Sequence, residues 1–323
     1  MFHASNKIKL GIVGLGHAGN LHLRAIDSLQ SIFELSLSYD LSQSKTAQKL
    51  PKNKIVTSVE DILNSNIDCV ILSCPSASKF QLSKLIFESG KSIFSEKPQV
   101  LTLKEFDYLN LLAKNKDLIF QGAFHSTFNP LQRQLLKEIT IFPGKTVHKK
   151  FGELINIELN RFDPYVQSGQ VIDYAPEKTS GLDSWPNILS ELALYVNSYK
   201  VKDVKYLDTS FAPNYPEVKT KITGIFPEGK FIANTDWTNG QNIKKTTLFF
   251  EKATVILDYT GYQLTVTKND QIVSKQNFDQ LGSRLEIEYK RMYKDLFNVL
   301  TKTRQDNREI IKNITQMLEN YCL

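Results

Sequence analysis

A two-domain α/β chain is predicted, with a doubly wound parallel sheet first and an α+β domain built on a large open antiparallel sheet second. Three observations predict it. Residues 8–124 alternate short apolar runs with amphipathic helical patterns, the signature of βαβ units. Glycines 14, 16 and 19 punctuate the first strand-to-helix junction. Beyond residue 150, strand-like runs follow one another with short turns, as in an antiparallel sheet with one solvated face.

The elements follow in order. IKLGIVGL (8–15) reads as a buried strand and NLHLRAIDSL (20–29) as an amphipathic helix. FELSLSYD (33–40) is a strand, 42–50 a helix, 54–57 a short strand and 59–64 a helix. DCVILSC (68–74) is an apolar strand, and 79–90 a helix ended by Gly90. Then come strand 91–98, helix 103–116 and strand 118–124. The second part opens with a helix near 129–140, a strand at 153–162 and a helix near 184–199. Strands are expected at 218–226, 230–238, 244–251, 253–260 and 262–269, then helices at 284–305 and 307–321. The domains are placed at 1–124 and 125–323, with both C-terminal helices in the second.

Composition narrows the function classes. The 323 residues are 41% hydrophobic and 23% charged, an ordinary globular balance. The net charge of +6 is scattered, with no basic stripe, so nucleic acid is not expected as a partner. No run of 18 apolar residues occurs, so no membrane span is expected. Cysteines 69, 74 and 322 form no disulfide framework, which points to a reducing cytoplasm. The five histidines show no metal-ligand spacing, and no metal is expected.

The stretch GLGHAGNLH (14–22) is G-x-G-x-x-G between a strand and a helix. Gly14 permits the tight turn, Gly16 lets a pyrophosphate approach the backbone, and Gly19 allows close helix–strand packing. His17 and Ala18 open the helix whose free N–H groups would face that anion. Asp40 ends the second strand 21 residues past Gly19, where a carboxylate can accept both ribose hydroxyls of an adenosine. This is a Rossmann dinucleotide signature. A carboxylate there repels a 2′-phosphate, so NAD is expected, with NADP the alternative because Lys45, Ser42 and Ser44 lie near. Cys74 and Pro75 follow the third strand, where the backbone passes under the cofactor; Cys74 is read as a neighbour rather than a nucleophile.

FSEKPQ (94–99) ends the fourth strand. Lys97 would stand at the carboxyl edge of the sheet, where open α/β folds bind ligands, and Glu96 beside it is counted among the cofactor contacts. Such a lysine has its pKa lowered by desolvation, donates a charged hydrogen bond to a substrate oxygen, or is a surface lysine that happens to precede a proline. In SGLDSWPNILSEL (180–192), Asp183 and Asn187 are four apart, hence on one helix face. Asp183 or Ser184 is expected to cap that helix, with Pro186 in its first turn.

GLGHAG, EKP at 96–98 and Gly181-x-Asp183-x-x-x-Asn187 together resemble the glucose–fructose oxidoreductase/inositol dehydrogenase (Gfo/Idh/MocA) family. The resemblance implies that Lys97 faces substrate and nicotinamide, and that an Asp and a usual His come from the second domain. Asn187 stands where most relatives have His. Asn carries no proton near neutral pH, so proton handling moves to Lys97 or Asp183. The aldose 1-dehydrogenase branch, with bacterial L-arabinose and D-galactose 1-dehydrogenases, is similar in this respect. GAFHSTFNP (122–130), RFDPYVQSGQVIDYAP (161–176) and NTDWTNGQ (234–241) resemble further stretches of that branch. Thr127 replaces a usual Arg and Asp163 a usual His, which bears on the sugar taken. His125, Asp163 and Trp237 become candidate substrate contacts. His125 is otherwise a satisfied histidine at a strand end, and Trp237 a core residue rather than a stacking platform.

These readings converge on an NAD(P)-dependent oxidoreductase that oxidises an aldose at C1 to a lactone, with Lys97, Asp183 and Asn187 as catalytic residues. Oxidation of a ring hydroxyl in a polyol or nucleotide-linked sugar is the second reading, and a non-catalytic dinucleotide- and sugar-binding regulator the third. The glycine turn, Lys97 and the Asp183–Asn187 pair are expected around one nicotinamide ring. The resemblance also implies a homodimer or homotetramer joined through the open sheet.

Overall fold

The computed structural model describes residues 7–42, 44–167, 170–171, 179–207, 218–278 and 282–322. In chain order the first elements are β1 (Ile8–Val13), α1 (His17–Asp27), β2 (Phe33–Tyr39), α2 (Val59–Leu63) and β3 (Cys69–Leu72). Next are α3 (Ser76–Glu88), β4 (Ser92–Glu96), α4 (Leu103–Asn115), β5 (Phe120–Ala123) and α5 (Pro130–Leu136). A run of strands follows: β6 (Ile139–Phe142), β7 (Lys145–His148), β8 (Gly152–Phe162), β9 (Val166–Gln167) and β10 (Gln170–Val171). After α6 (Ser180–Leu192) come β11 (Lys200–Tyr206), β12 (Lys219–Phe226), β13 (Gly229–Asp236), β14 (Ile243–Phe250), β15 (Ala253–Asp258), β16 (Gln263–Lys268) and β17 (Gln271–Asn277). The last helices are α7 (Arg284–Leu300) and α8 (Arg308–Tyr321).

Two units emerge from the packing. One holds Met1–His125 and Leu285–Tyr321, the other Ser126–Arg284. In the first unit, five parallel strands run in the order β2-β1-β3-β4-β5. Strands β3, β4 and β5 are buried along their whole length, as a sheet covered on both faces requires. Ser58 with Asp61, and Thr102 with Glu105, form capping boxes that start α2 and α4. Residues expected as a helix at 42–50 and a strand at 54–57 form 3₁₀ turns at Ala47–Lys49 and Lys52–Lys54. Among the described residues this segment pairs with the sheet through one parallel bridge, Ser38 to Ile55. It is too short and too lysine-rich to bury a strand face.

The C-terminal helices are assigned differently from the sequence reading. Tyr289, Met292, Tyr293 and Leu296 of α7 are buried, and Tyr293 packs edge-on against His22, Phe33 and Phe94 of the parallel-sheet unit. On α8, Arg308 donates to Asn110 and to the Leu118 carbonyl. Helical periodicity alone identified the apolar stripe but not the layer it covers.

The second unit is a ten-stranded sheet whose main path is β11-β12-β13-β8-β14-β15-β16-β17, with the β6–β7 hairpin joined at β8. It is not purely antiparallel, because β8 pairs with β13 in parallel. Helix α6 lies on this sheet through Trp185, Ile188, Leu189 and Leu192, all fully buried. Trp185 Nε1 donates to Thr220 on β12 (2.9 Å), Thr220 pairs with Thr235 on β13 (2.7 Å), and Thr235 with Ser180 (2.8 Å). This row of hydroxyls pins the helix to the sheet. The helix expected at 129–140 stops at Leu136 and yields to the β6–β7 hairpin. Among the described residues no helix is long and apolar enough to cross a membrane.

Candidate functional site

The dinucleotide signature folds as a tight turn. Gly14 has φ +95°, and a Cβ there would lie 2.8 Å from the Cys74 nitrogen. A Cβ on Gly19 would lie 2.3 Å from the Gly14 carbonyl oxygen. At Gly16, the cap of α1, a Cβ would meet nothing within 4 Å. Two glycines therefore permit backbone contact within the chain, and the third leaves the helix N-terminus open to a ligand. That is the pattern a pyrophosphate needs. His17 is exposed and Ala18 partly buried beside it.

Asp40 reaches the same turn. Its Oδ2 accepts from the Leu15 N–H (3.0 Å) and the Ser44 hydroxyl (2.7 Å), its Oδ1 from the Ser42 N–H (2.9 Å) and hydroxyl (2.8 Å). Partial burial opposes its ionisation, but the bonds from Ser44 and Ser42 outweigh it and hold the carboxyl below its usual range. The carboxylate is thus kept charged at the carboxyl end of β2. Ser73 donates from its hydroxyl to the Gly14 carbonyl (2.6 Å), tying in the end of β3. Burial raises the Cys74 thiol, with Lys79 opposing, so Cys74 is no ready nucleophile. Pro75 caps α3 from an exposed position.

Lys97 is partly buried at the end of β4, and its bond to Pro98 is cis. Glu96 is placed differently from the expectation of a cofactor contact. It is 6% exposed and its carboxylate serves the chain itself. Tyr289 donates to Oε1 (2.6 Å), His22 Nε2 lies 3.1 Å from Oε1, and the Lys97 N–H approaches Oε2 (3.3 Å). Burial opposes ionisation here too, but His22, His125 and Tyr289 together draw the carboxyl down to about 2. His22 also meets the Tyr293 hydroxyl (2.9 Å). His125 is a satisfied histidine: Nδ1 lies 2.7 Å from Glu288 Oε2, and the ring stacks on Tyr289. These partners come from α7, which no local motif ties to the EKP turn.

In the second unit the structure brings Asp183, Asn187, Asp163 and Ser126 into one neighbourhood. Helix α6 begins earlier than expected, capped by Thr179, whose hydroxyl accepts from the Leu182 N–H. Asp183 therefore lies in the first turn, not at the cap, and Pro186 lies inside the helix. Asn187 Oδ1 faces the Ser126 hydroxyl at 3.4 Å. Asp163 is buried and ion-paired with Lys244 of β14, which Asp183 also favours electrostatically. Burial lowers the Lys244 ammonium against both carboxylates. On the same α6 stripe, Glu191 forms a buried pair with Arg161 and accepts from Thr246 and Tyr259. Lys244, Arg161 and Glu191 were not singled out from sequence; only the i, i+4, i+8 spacing of 183, 187 and 191 hinted at Glu191. Trp237 is a core residue, not a stacking platform. It is fully buried with Val218, Tyr165 and Val166. Much of the expected specificity loop at 163–180 lies outside the described residues. Among the described residues no group of three His, Cys, Asp or Glu is placed to hold a metal.

Comparison with known proteins agrees with the first unit. Residues 8–124 match the GFO_IDH_MocA oxidoreductase family, NAD-binding Rossmann fold. The likeness to that family covers the glycine turn and the five parallel strands. The uncharacterised oxidoreductase YdgJ of Escherichia coli is 24% identical over 190 residues, which cover 58% of this chain and 53% of YdgJ. The scyllo-inositol 2-dehydrogenase (NADP(+)) IolW of Bacillus subtilis is 27% identical over 121 residues, 37% of this chain and 33% of IolW. The chain thus spans about half or less of these curated relatives. Solved structures match over nearly its whole length in fold. Levoglucosan dehydrogenase in complex with NADH and levoglucosan has a TM-score of 0.83 at 11% identity, covering 97% of this chain and 96% of that one. UDP-N-acetylglucosamine 3-dehydrogenase GnnA of Acidithiobacillus ferrooxidans has a TM-score of 0.77 at 15% identity, covering 98% and 96%. The likeness in fold to these solved structures therefore extends through the mixed sheet.

Proposed function

We propose that this protein is an NAD-dependent oxidoreductase that oxidises a hydroxyl of a sugar or polyol, and specifically the C1 hydroxyl of an aldose. The observation that carries the reading is the open N-terminus of α1 at Gly16, with ionised Asp40 on the same turn and Lys97 ending β4 of the same sheet. When bound, NAD⁺ supplies the hydride acceptor. Gly16 and the first N–H groups of α1 would take its pyrophosphate, and Asp40 its ribose hydroxyls. Ser42 and Ser44, which now donate to Asp40, would yield part of that carboxylate.

The remaining chemistry is proton handling and orientation. Lys97 takes or relays the proton of the reacting hydroxyl, with Asp183 as the alternative base. Asn187 cannot titrate, and with Ser126 at its carboxamide oxygen it orients a hydroxyl instead. This favours C1 oxidation, where the hydroxyl is more acidic than on other ring carbons. Oxidation of a ring hydroxyl is the second reading, in keeping with the name of one relative, the scyllo-inositol 2-dehydrogenase. Asp163 and Lys244 are proposed as selectors of the substrate. The partner expected for the assembly is a second copy, since the sheet leaves Ile225 and Ile232 exposed.

Nicotinamide reduction measured with NAD⁺ and NADP⁺ against aldoses, polyols and nucleotide sugars tests this. Lactone formed from an aldose supports the C1 reading, and activity confined to the other two classes supports the second. Lys97→Ala is expected to lower kcat by at least about 100-fold, the scale of a lost acid–base group. A variant of wild-type activity removes Lys97 from the reaction.

A further inference from the structure

The turn that carries Lys97 is gripped by a second lysine that no expected role uses. Lys79, the fourth residue of α3, is 1% exposed. Its ammonium donates to three consecutive carbonyls: Glu96 (2.7 Å), Lys97 (3.2 Å) and Pro98 (2.9 Å). Placing an ammonium out of water costs several kcal/mol unless its protons find acceptors. Charge-assisted bonds of this kind are about twice as strong as neutral ones. A turn leaving the end of a strand has lost its ladder partners, and its carbonyls must be met some other way. Here one side chain meets three in a row. The Glu96 carboxylate at the Lys97 N–H and Gln99 Nε2 at the Ser95 carbonyl (3.1 Å) hold the same segment on its other groups.

We propose that Lys79 is a positioning residue that locks the 96–98 backbone and so fixes where the Lys97 ammonium is presented. The functional half of this rests on the reading of Lys97 given above; the structural half does not. Lys79 does not touch the reacting atoms. Its effect passes through the backbone from which the Lys97 side chain springs.

The test uses the full chain as wild type, Lys79→Met, Lys79→Gln and Lys79→Arg, with NAD⁺ titration and thermal melting as controls for folding. Amide hydrogen exchange over 95–101 is expected to rise at least about tenfold in Lys79→Met, equivalent to about 1.4 kcal/mol, while β1 and α6 keep their protection. Lys79→Arg, which keeps the charged donors, is expected to retain most of it. On a sugar that the wild type oxidises, kcat should fall about 100-fold with KM little changed, the signature of a misplaced group. If the wild type oxidises no sugar, the proposed function fails while the exchange result still decides the role of Lys79. Wild-type exchange rates over 95–101 in Lys79→Met or Lys79→Gln overturn the proposal. Should both variants fail to fold, lysine-selective NMR of the wild type decides: slowly exchanging Lys79 ammonium protons support the clamp, and freely exchanging ones refute it.

Discussion

Glu96 is a carboxylate at the end of a fully buried strand, and its neighbours explain how it remains ionised there. The hydrogen bond and proximity of His22, His125 beyond it, and the Tyr289 hydroxyl bring its pKa from 4.5 to about 2 against the cost of burial. A group whose folded pKa lies below its unfolded one contributes stability above the unfolded value and loses it as pH falls toward the folded one. The Glu96 contribution is therefore complete above about pH 4.5 and fades between there and about pH 2. Comparing denaturant unfolding of wild type and Glu96→Gln across this range is expected to show a gap in stability that narrows as the pH drops. A gap that stays constant with pH would mean the carboxylate's charge is not what matters.

At the level of elements, the β1–α1 junction separates two roles for glycine that the motif itself does not distinguish. At Gly19 a methyl group would collide with the Gly14 carbonyl at 2.3 Å, so Gly19→Ala is expected to lose several °C of melting temperature. At Gly16 the space is open and φ is −69°, so Gly16→Ala is expected to melt near the wild type. It should nonetheless bind NAD⁺ about tenfold more weakly, because the methyl group occupies the pyrophosphate's approach. Equal NAD⁺ affinity in Gly16→Ala and wild type would place the cofactor elsewhere. Helix α6 offers a parallel case. Spacing puts Asp183 and Asn187 on one face, but the helix starts earlier than Asp183 or Ser184 would set it, because Thr179 takes the cap.

For the whole molecule, the chain returns at its end to the unit in which it began. Helix α7 buries Tyr289, Met292 and Tyr293 and supplies Glu288 to His125. Helix α8 adds Asn307 just before it, whose side chain exchanges bonds with the Gly122 N–H (2.7 Å) and carbonyl (2.9 Å) on edge strand β5. A chain ending at residue 283 is therefore expected to be largely insoluble, because it exposes the apolar face beside Phe33 and Phe94 and strips His22 and Glu96 of their tyrosine partners. Recovery of a soluble, NAD⁺-binding product of that length would show that the first 125 residues fold without α7 and α8.

The local sequence by itself determined the βα alternation, the glycine turn with Asp40, the lysine before Pro98 and the shared face of Asp183 and Asn187. Each of these is set by periodicity or by the conformational freedom of one residue type within a short window. Only the tertiary structure decided that β8 and β13 run parallel, that α7 and α8 cover the first sheet, and that Glu96 and Trp237 face inward. It also decided the partners: Lys79 on three carbonyls, Lys244 between Asp163 and Asp183, Glu191 under Arg161. The physical reason is the same throughout. Whether a buried charge or a helix stripe is tolerable depends on what meets it, and those groups can lie far away along the chain: Tyr289 is 193 residues from Glu96, and Tyr293 is 271 from His22.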